Sequence, residues 1–158
     1  MAEATRPPER SDLLRLCAEL NRLEAKYIII GGLAMNELGL VRATEDIDLL
    51  IEASPENQQR VRDALRILPE RAIDELGPDE DLRQWVVVRV NDEITVDLMT
   101  SACGVAYMEA TDGLLMRAIG GVEIPFANRD LMIRLKQGNR EKDRIDLDYL
   151  RRCPEGNS

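Results

Sequence analysis

Residues 27–52 read YIIIGGLAMNELGLVRATEDIDLLIE, and they set two aspartates, Asp46 and Asp48, one residue apart at the head of the apolar run Leu49-Leu50-Ile51. Side chains alternate along a strand, so both carboxylates share one face while Ile47 and Leu49 take the other. Two carboxylates about 5 Å apart repel by roughly 3 kcal/mol at an effective dielectric near 20. Water, basic partners or a divalent cation must offset that. Oxygen-only ligation suits Mg²⁺, or Mn²⁺ in its place, because Mg²⁺ takes one or two carboxylates and fills its shell with waters and substrate phosphates. A third carboxylate, Asp97, interrupts the apolar run EITVDLM. If that run pairs beside residues 46–51, three aspartates meet on one face. Such a set can hold two cations, one at an attacking oxygen and one at a leaving group. The plainer alternatives are an exposed strand start for Asp46 and Asp48, and for Asp97 the solvated face of an alternating strand, shared with Thr95.

Gly31 and Gly32 supply a second feature. The order strand, Gly-Gly, helix leaves backbone N–H groups free at a strand end, where an anion can sit. A Gly-Gly turn also serves tight packing alone. The stretch is neither a Walker loop nor a GxGxxG dinucleotide fingerprint. Arg42 and Thr44 could touch phosphate oxygens through a guanidinium fork and a hydroxyl, or could serve only as a turn arginine and a strand-start threonine. In phosphatases of the haloacid dehalogenase type the aspartates follow their apolar strand. Here polar Arg42–Glu45 precedes them and the apolar run comes after. The carboxylates therefore head their strand, facing the glycine end of Tyr27–Ile30 if the two strands run antiparallel.

The elements that must position these groups follow from periodicity. Residues 1–10 read as a loose tail and 11–152 as a single domain. Ser11 is placed to cap a helix through about Lys26, with Leu13, Leu16, Cys17, Leu20 and Leu23 at three- and four-residue steps. Tyr27–Ile30 is a short buried strand, 33–40 a short helix and Asp46–Ile51 a second strand. Ser54-Pro55 opens an amphipathic helix ending near Pro69. Residues 71–83 read as loop with some helix. WVVVRV and ITVDLM flank Asn91-Asp92-Glu93 as a hairpin, with Trp85 in the core. A Gly-rich, mostly helical connection leads to the strand VEIPF. Asn128 caps a helix carrying Leu131, Ile133 and Leu135, and a last helix runs through Asp143, Leu147 and Leu150. Met99, Met108, Met116 and Met132 read as gap-filling core residues.

Bulk properties narrow the function classes. A net charge of −9 argues against a protein that coats bare nucleic acid, while leaving room for a locally basic cleft. The basic stretch Lys136, Arg140, Lys142 and Arg144 reads mainly as a solvated face, with Asp143 and Asp146 pairing against it. With no histidine among 158 residues, imidazole catalysis and His-ligated metals are excluded. Cys17, Cys103 and Cys153 form neither a disulfide framework nor a zinc pattern. No apolar run nears the roughly 20 residues of a membrane span. A cytoplasmic setting is the expectation.

Apolar-Gly-Gly, a spacer of about a dozen residues, Asp-Ile-Asp-Leu, and a later aspartate on an apolar strand together resemble the DNA polymerase β-like nucleotidyltransferase superfamily. Within it, GGLAMNELGLVRATEDIDLLI is similar to the minimal nucleotidyltransferases of the AbiEii-like type IV toxins and to small aminoglycoside or lincosamide nucleotidyltransferases. IPFANRDLMIRLKQGNREKDRIDLDYL resembles the closing helices of the same group, so the likeness spans roughly residues 27–150. It implies an α+β nucleotidyltransferase fold, a mixed and mostly antiparallel β-sheet flanked by helices, acting on a nucleoside triphosphate with Mg²⁺. It further implies that Gly31 and Gly32 hold the triphosphate, that Asp46 and Asp48 ligate metal, and that Asp97 completes the metal site and accepts the proton of an attacking hydroxyl. Lys136 matches the lysine that approaches the nucleotide. The expected activity is transfer of NMP from NTP to a hydroxyl of RNA, protein or a small molecule. The rival reading is a catalytically weak nucleotide-binding subunit with a cognate partner protein, as in a toxin–antitoxin system; a phosphohydrolase is a third. Many superfamily members carry Gly-Ser where this chain has Gly31-Gly32. The chain also lacks an obvious separate acceptor domain, which leaves the acceptor open.

Overall fold

A computed structural model describes residues 5–136, 138 and 140–153. In chain order the elements are α1 (Arg10–Arg22), β1 (Tyr27–Ile30), α2 (Gly32–Glu37), β2 (Asp46–Ile51), α3 (Pro55–Leu65), β3 (Val88–Asn91), β4 (Thr95–Met99), β5 (Ser101–Ala102), β6 (Val105–Ala106), α4 (Tyr107–Ala110), β7 (Leu114–Ile119), β8 (Val122–Ala127), α5 (Arg129–Leu135) and α6 (Glu141–Arg152). Six strands form one sheet in the order β3-β4-β2-β1-β8-β7. The β3/β4, β2/β1 and β8/β7 pairs are antiparallel, and β4/β2 and β1/β8 are parallel. The expected α+β fold with a mixed, mostly antiparallel sheet flanked by helices is the one observed.

β1 is buried along its whole length, which explains a strand made only of Tyr and Ile. Its neighbours on both sides, β2 and β8, complete its ladder, so it forms the axis of the core. α1 covers β8 and α3, and α5 packs on α6. Asn57, almost fully buried, fastens the approach to β1 to the exit from β2: it accepts from the Lys26 N–H (2.7 Å) and donates to the carbonyls of Lys26 (3.0 Å) and Glu52 (2.9 Å).

Helix starts follow local chemistry, with one correction. Ser54 caps α3 by accepting from the Asn57 N–H, Pro55 occupies the first turn, and Asn128 caps α5 by accepting from the Leu131 N–H. The N-cap of α1, however, is Glu9 rather than Ser11. The Asp12 carboxylate accepts from the Glu9 N–H at 2.6 Å, which fixes the start two residues earlier. Arg6 then holds Asp12 and Glu93, joining the first described segment to the β3–β4 turn. α1 stops at Arg22, short of Lys26, because Glu24 turns left-handed at φ 58°.

Three further expectations give way. The stretch before VEIPF is not mostly helical: residues 114–119 form β7, which pairs with β8 through a two-residue turn, Gly120-Gly121, both at positive φ. Trp85 lies outside the core, 39% exposed beside the more exposed Val86, because it falls in the extended segment ahead of the edge strand β3, whereas Leu82 in the preceding turn is buried. Met108 and Met116 are exposed, and Met132 alone of the four expected core methionines is fully enclosed. Among the described residues no disulfide links the cysteines, and no helix is long and apolar enough to cross a membrane.

Candidate active site

Register brings the acidic residues together. β2 and β4 run parallel with Asp48 level with Asp97, and Asp46 level with Thr95. β1 runs antiparallel to β2 with Ile30 level with Asp48. Alternation then puts Asp46, Asp48 and Asp97 on one face, and an oxygen from each lies within 4.8 Å of the others. Asp97 and Thr95 are buried, so the solvated-face alternative for Asp97 does not hold. The opposite faces of β2 and β4 carry Ile47, Leu49, Val96 and Leu98, all in the core, which prevents the strands from rotating the carboxylates outward.

Three clustered acids in a partly dehydrated place repel one another. Burial first, then the charges of Asp46 and Asp97, push the Asp48 carboxyl up to about 7, and the charge of Lys136 partly counters the rise. Burial and the charge of Asp97 raise Asp46 as well. Among the described residues one cation meets the cluster directly. Arg89, level with Asp97 on β3, forks onto that carboxylate with Nε and Nη2 each at 2.9 Å, and Nη2 reaches Asp46 at 3.3 Å. Nothing in the sequence alone singles out this arginine, since its partner is fixed by the register of the β3–β4 hairpin. A positively charged group drawn onto two of the three carboxylates shows that the set attracts a cation, and an all-oxygen donor set suits Mg²⁺ or Mn²⁺.

Gly31 sits where β1 ends, at φ 73° and ψ −148°, a region essentially reserved for glycine. A Cβ there would lie 2.0 Å from Asp48 Oδ2, so the backbone is pressed against the cluster. A Cβ on Gly32 would likewise lie 2.6 Å from Thr44 Cγ2. Gly31→Ala should therefore cost at least about 2 kcal/mol, from backbone strain and displacement of Asp48. Denaturant unfolding measures this, and a loss under about 0.5 kcal/mol would contradict the close approach.

The remaining expected site residues meet elsewhere. Arg42 forks onto Asp146 of α6, with Nη1 to Oδ1 at 2.6 Å and Nη2 to Oδ2 at 2.9 Å. Lys136, just past α5, places Nζ 3.0 Å from the same carboxylate and 3.9 Å from Asp143, which Arg140 also holds. Asp146 is fully buried. Burial by itself would raise its carboxyl, but Arg42 and Lys136 together outweigh that and keep it below the ordinary range. The expected pairing of Asp143 and Asp146 with the neighbouring bases is thus observed. Lys136 is buried rather than part of a solvated basic face. Two clefts adjoin the segment 42–46. One of about 380 Å³ is lined by Glu45, Asp46, Arg89, Asn91 and Thr95; another of about 430 Å³ is lined by Leu33, Asn36, Arg42, Thr44 and Phe126, among others.

The fold that carries this acidic cluster has counterparts among solved structures of nucleotidyltransferases. The chain is similar to a lincosamide antibiotic adenylyltransferase, LnuA, solved with lincomycin bound (TM-score 0.60, 14% identity, 94% of this chain and 99% of that one). It is similar to a putative nucleotidyltransferase from Thermotoga maritima (TM-score 0.54, 15% identity, 92% and 97%). It also resembles an antigenic nucleotidyltransferase-like protein from Paracoccidioides brasiliensis (TM-score 0.52, 17% identity, 94% and 78%). At these identities the likeness is one of fold. No protein-family model and no curated protein sequence matches the chain.

Proposed function

We propose that this chain is a divalent-metal-dependent nucleotidyltransferase that moves NMP from an NTP onto a hydroxyl acceptor. The observation that carries this reading is the convergence of Asp46, Asp48 and Asp97 within 4.8 Å of one another, against a glycine turn that leaves no room for a side chain. Asp46, Asp48 and Asp97 would hold Mg²⁺ or Mn²⁺, and the bound ion would neutralise phosphate charge and lower the pKa of an oxygen nucleophile. The protein's own part is positioning and electrostatics, which is what phosphoryl and nucleotidyl transfer chiefly demand. Asp97, the most enclosed of the three, is assigned to the proton of the attacking hydroxyl. Backbone N–H groups at Gly31 and Gly32 are assigned to the triphosphate, with Thr44 beside them. Lys136, whose charge is felt at Asp48, is assigned to the nucleotide. Arg42 is assigned to holding the 42–46 segment through Asp146, because its fork is already engaged there.

Two clefts bordering one segment allow a donor and an acceptor to approach together. LnuA is named as an adenylyltransferase acting on lincosamide antibiotics, which makes ATP and small hydroxylated molecules the first pair to try. The test supplies each NTP labelled at its α-phosphate, with Mg²⁺ and a panel of antibiotics, tRNA and cell extract. Transfer of label with pyrophosphate release is the expected result. Thermal stabilisation by NTP and Mg²⁺ without pyrophosphate release across the panel would favour a nucleotide-binding subunit. Release of inorganic phosphate instead would favour a hydrolase.

A further inference from the structure

Arg89 lies outside the set of residues that the nucleotidyltransferase reading needs, yet it makes the most direct contact with them. Its guanidinium takes both oxygens of Asp97 and one of Asp46, the two carboxylates that flank Asp48. A guanidinium fork is a strong, directional partner for a carboxylate. Oxygens so engaged have fewer lone pairs to offer another cation. The burial of the partners is unequal: the Arg89 side chain is 57% exposed, whereas that of Asp97 is 8% exposed. The arginine can therefore leave without opening the core, and the aspartate cannot. It also has somewhere to go, since it lines the cleft of about 380 Å³ beside Asp46, Asn91 and Thr95.

We propose that Arg89 is a placeholder cation, which keeps the three carboxylates assembled in the metal-free protein and is displaced into the adjoining cleft when a divalent ion binds. The inference rests on the metal-binding role assigned above to Asp46, Asp48 and Asp97. The guanidinium bridges Asp97 and Asp46 and so offsets the repulsion that would spread these carboxylates apart. Displacement adds an affinity cost to metal binding, and the freed guanidinium carries donors of the kind a phosphate accepts.

The experiment uses the full chain with Mn²⁺ alone, titrated by calorimetry at low ionic strength, for wild type, Arg89→Ala, Arg89→Lys and Asp48→Asn. Arg89→Ala should bind Mn²⁺ roughly tenfold more tightly than wild type, a change of about 1.4 kcal/mol. Its metal-free melting temperature should fall and saturating Mn²⁺ should close that gap. Arg89→Lys, which keeps the charge but loses the fork, should fall between. In the wild type, the Arg89 Nε–H resonance should shift on saturation with diamagnetic Mg²⁺ as its Asp97 bond breaks. If wild type binds Mn²⁺ and Asp48→Asn does not, but Arg89→Ala binds no tighter or the resonance stays put, the placeholder role is wrong and the metal site stands. If wild type and Arg89→Ala both fail to bind Mn²⁺, the metal-site reading falls and the placeholder with it.

Discussion

Asp48→Asn should reduce nucleotidyl transfer by at least about a thousandfold and yet make the metal-free protein more stable at pH 8. Both effects have one cause. Asp48 stands between Asp46 and Asp97 on a half-buried face, and burial with that repulsion holds its carboxyl near 7 in the folded chain against an ordinary value of 3.8. A raised folded-state pKa means the native state favours the protonated form. The associated stability is fully present below about pH 4, where the group is neutral both folded and unfolded. It is lost as pH rises through about 7. A shift of this size corresponds to roughly 4 kcal/mol at pH 8. The amide removes the charge at constant shape, so the stability gap between variant and wild type should be widest at pH 8 and vanish near pH 4. Other groups titrate in acid, Asp12 and Asp146 with the opposite sign, and the difference between the two proteins cancels them. Added Mg²⁺ should stabilise the wild type at pH 8 and leave the variant unmoved. Denaturant midpoints across pH, with and without the ion, measure all of this. A variant that is less stable at pH 8, or that keeps wild-type turnover, would end the assignment of Asp48 to the centre of a repulsive cation site.

Asp146→Ala carries the second large effect, on stability before activity. The carboxylate is fully enclosed and neutralises Arg42 and Lys136 at once. Truncating it leaves two cations without their buried counter-charge, at a cost of about 3–5 kcal/mol. In a chain of this size that should lower the melting temperature by about 6–20 °C. The consequences should reach the active site, because Arg42 anchors the segment that carries Thr44 and leads into Asp46. Asp146→Asn, which keeps the shape and part of the hydrogen bonding, should fall between wild type and alanine. A double-mutant cycle with Arg42→Met would isolate the pairwise term, and a coupling under about 0.5 kcal/mol would show that the pair adds little beyond a surface salt bridge.

Much of the site was legible in the residues because the relevant rule is local. Alternation with a period of two puts Asp46 and Asp48 on the same face whatever their strand packs against, and the apolar residues between and after them fix which face is inward. The glycine pair after β1 reads as an anion seat with tight packing as the alternative, and Gly31 does make a close approach, against Asp48. Capping was similarly local at Ser54 and Asn128. It misled at α1, where the Asp12 carboxylate on the Glu9 N–H moved the helix start two residues ahead of Ser11. β7 could have been read from the turn, since Gly120-Gly121 separates two runs that suit strands. An apolar Met116 on the exposed face and a charged, half-buried Arg117 on the other blurred the alternation that would have marked it.

Residue types alone put Asp46 and Asp48 on one face behind a glycine bend, because side-chain alternation and backbone freedom act within a few residues, whereas the α+β fold is implied by the family resemblance. Long-range packing settled that Asp97 lies level with Asp48 and faces Arg89, that Arg42 reaches across about a hundred residues of chain to share Asp146 with Lys136, and that Trp85 stays partly exposed ahead of β3. Those choices depend on strand register and on which charges are buried together, and both are set by the packing of segments far apart in sequence.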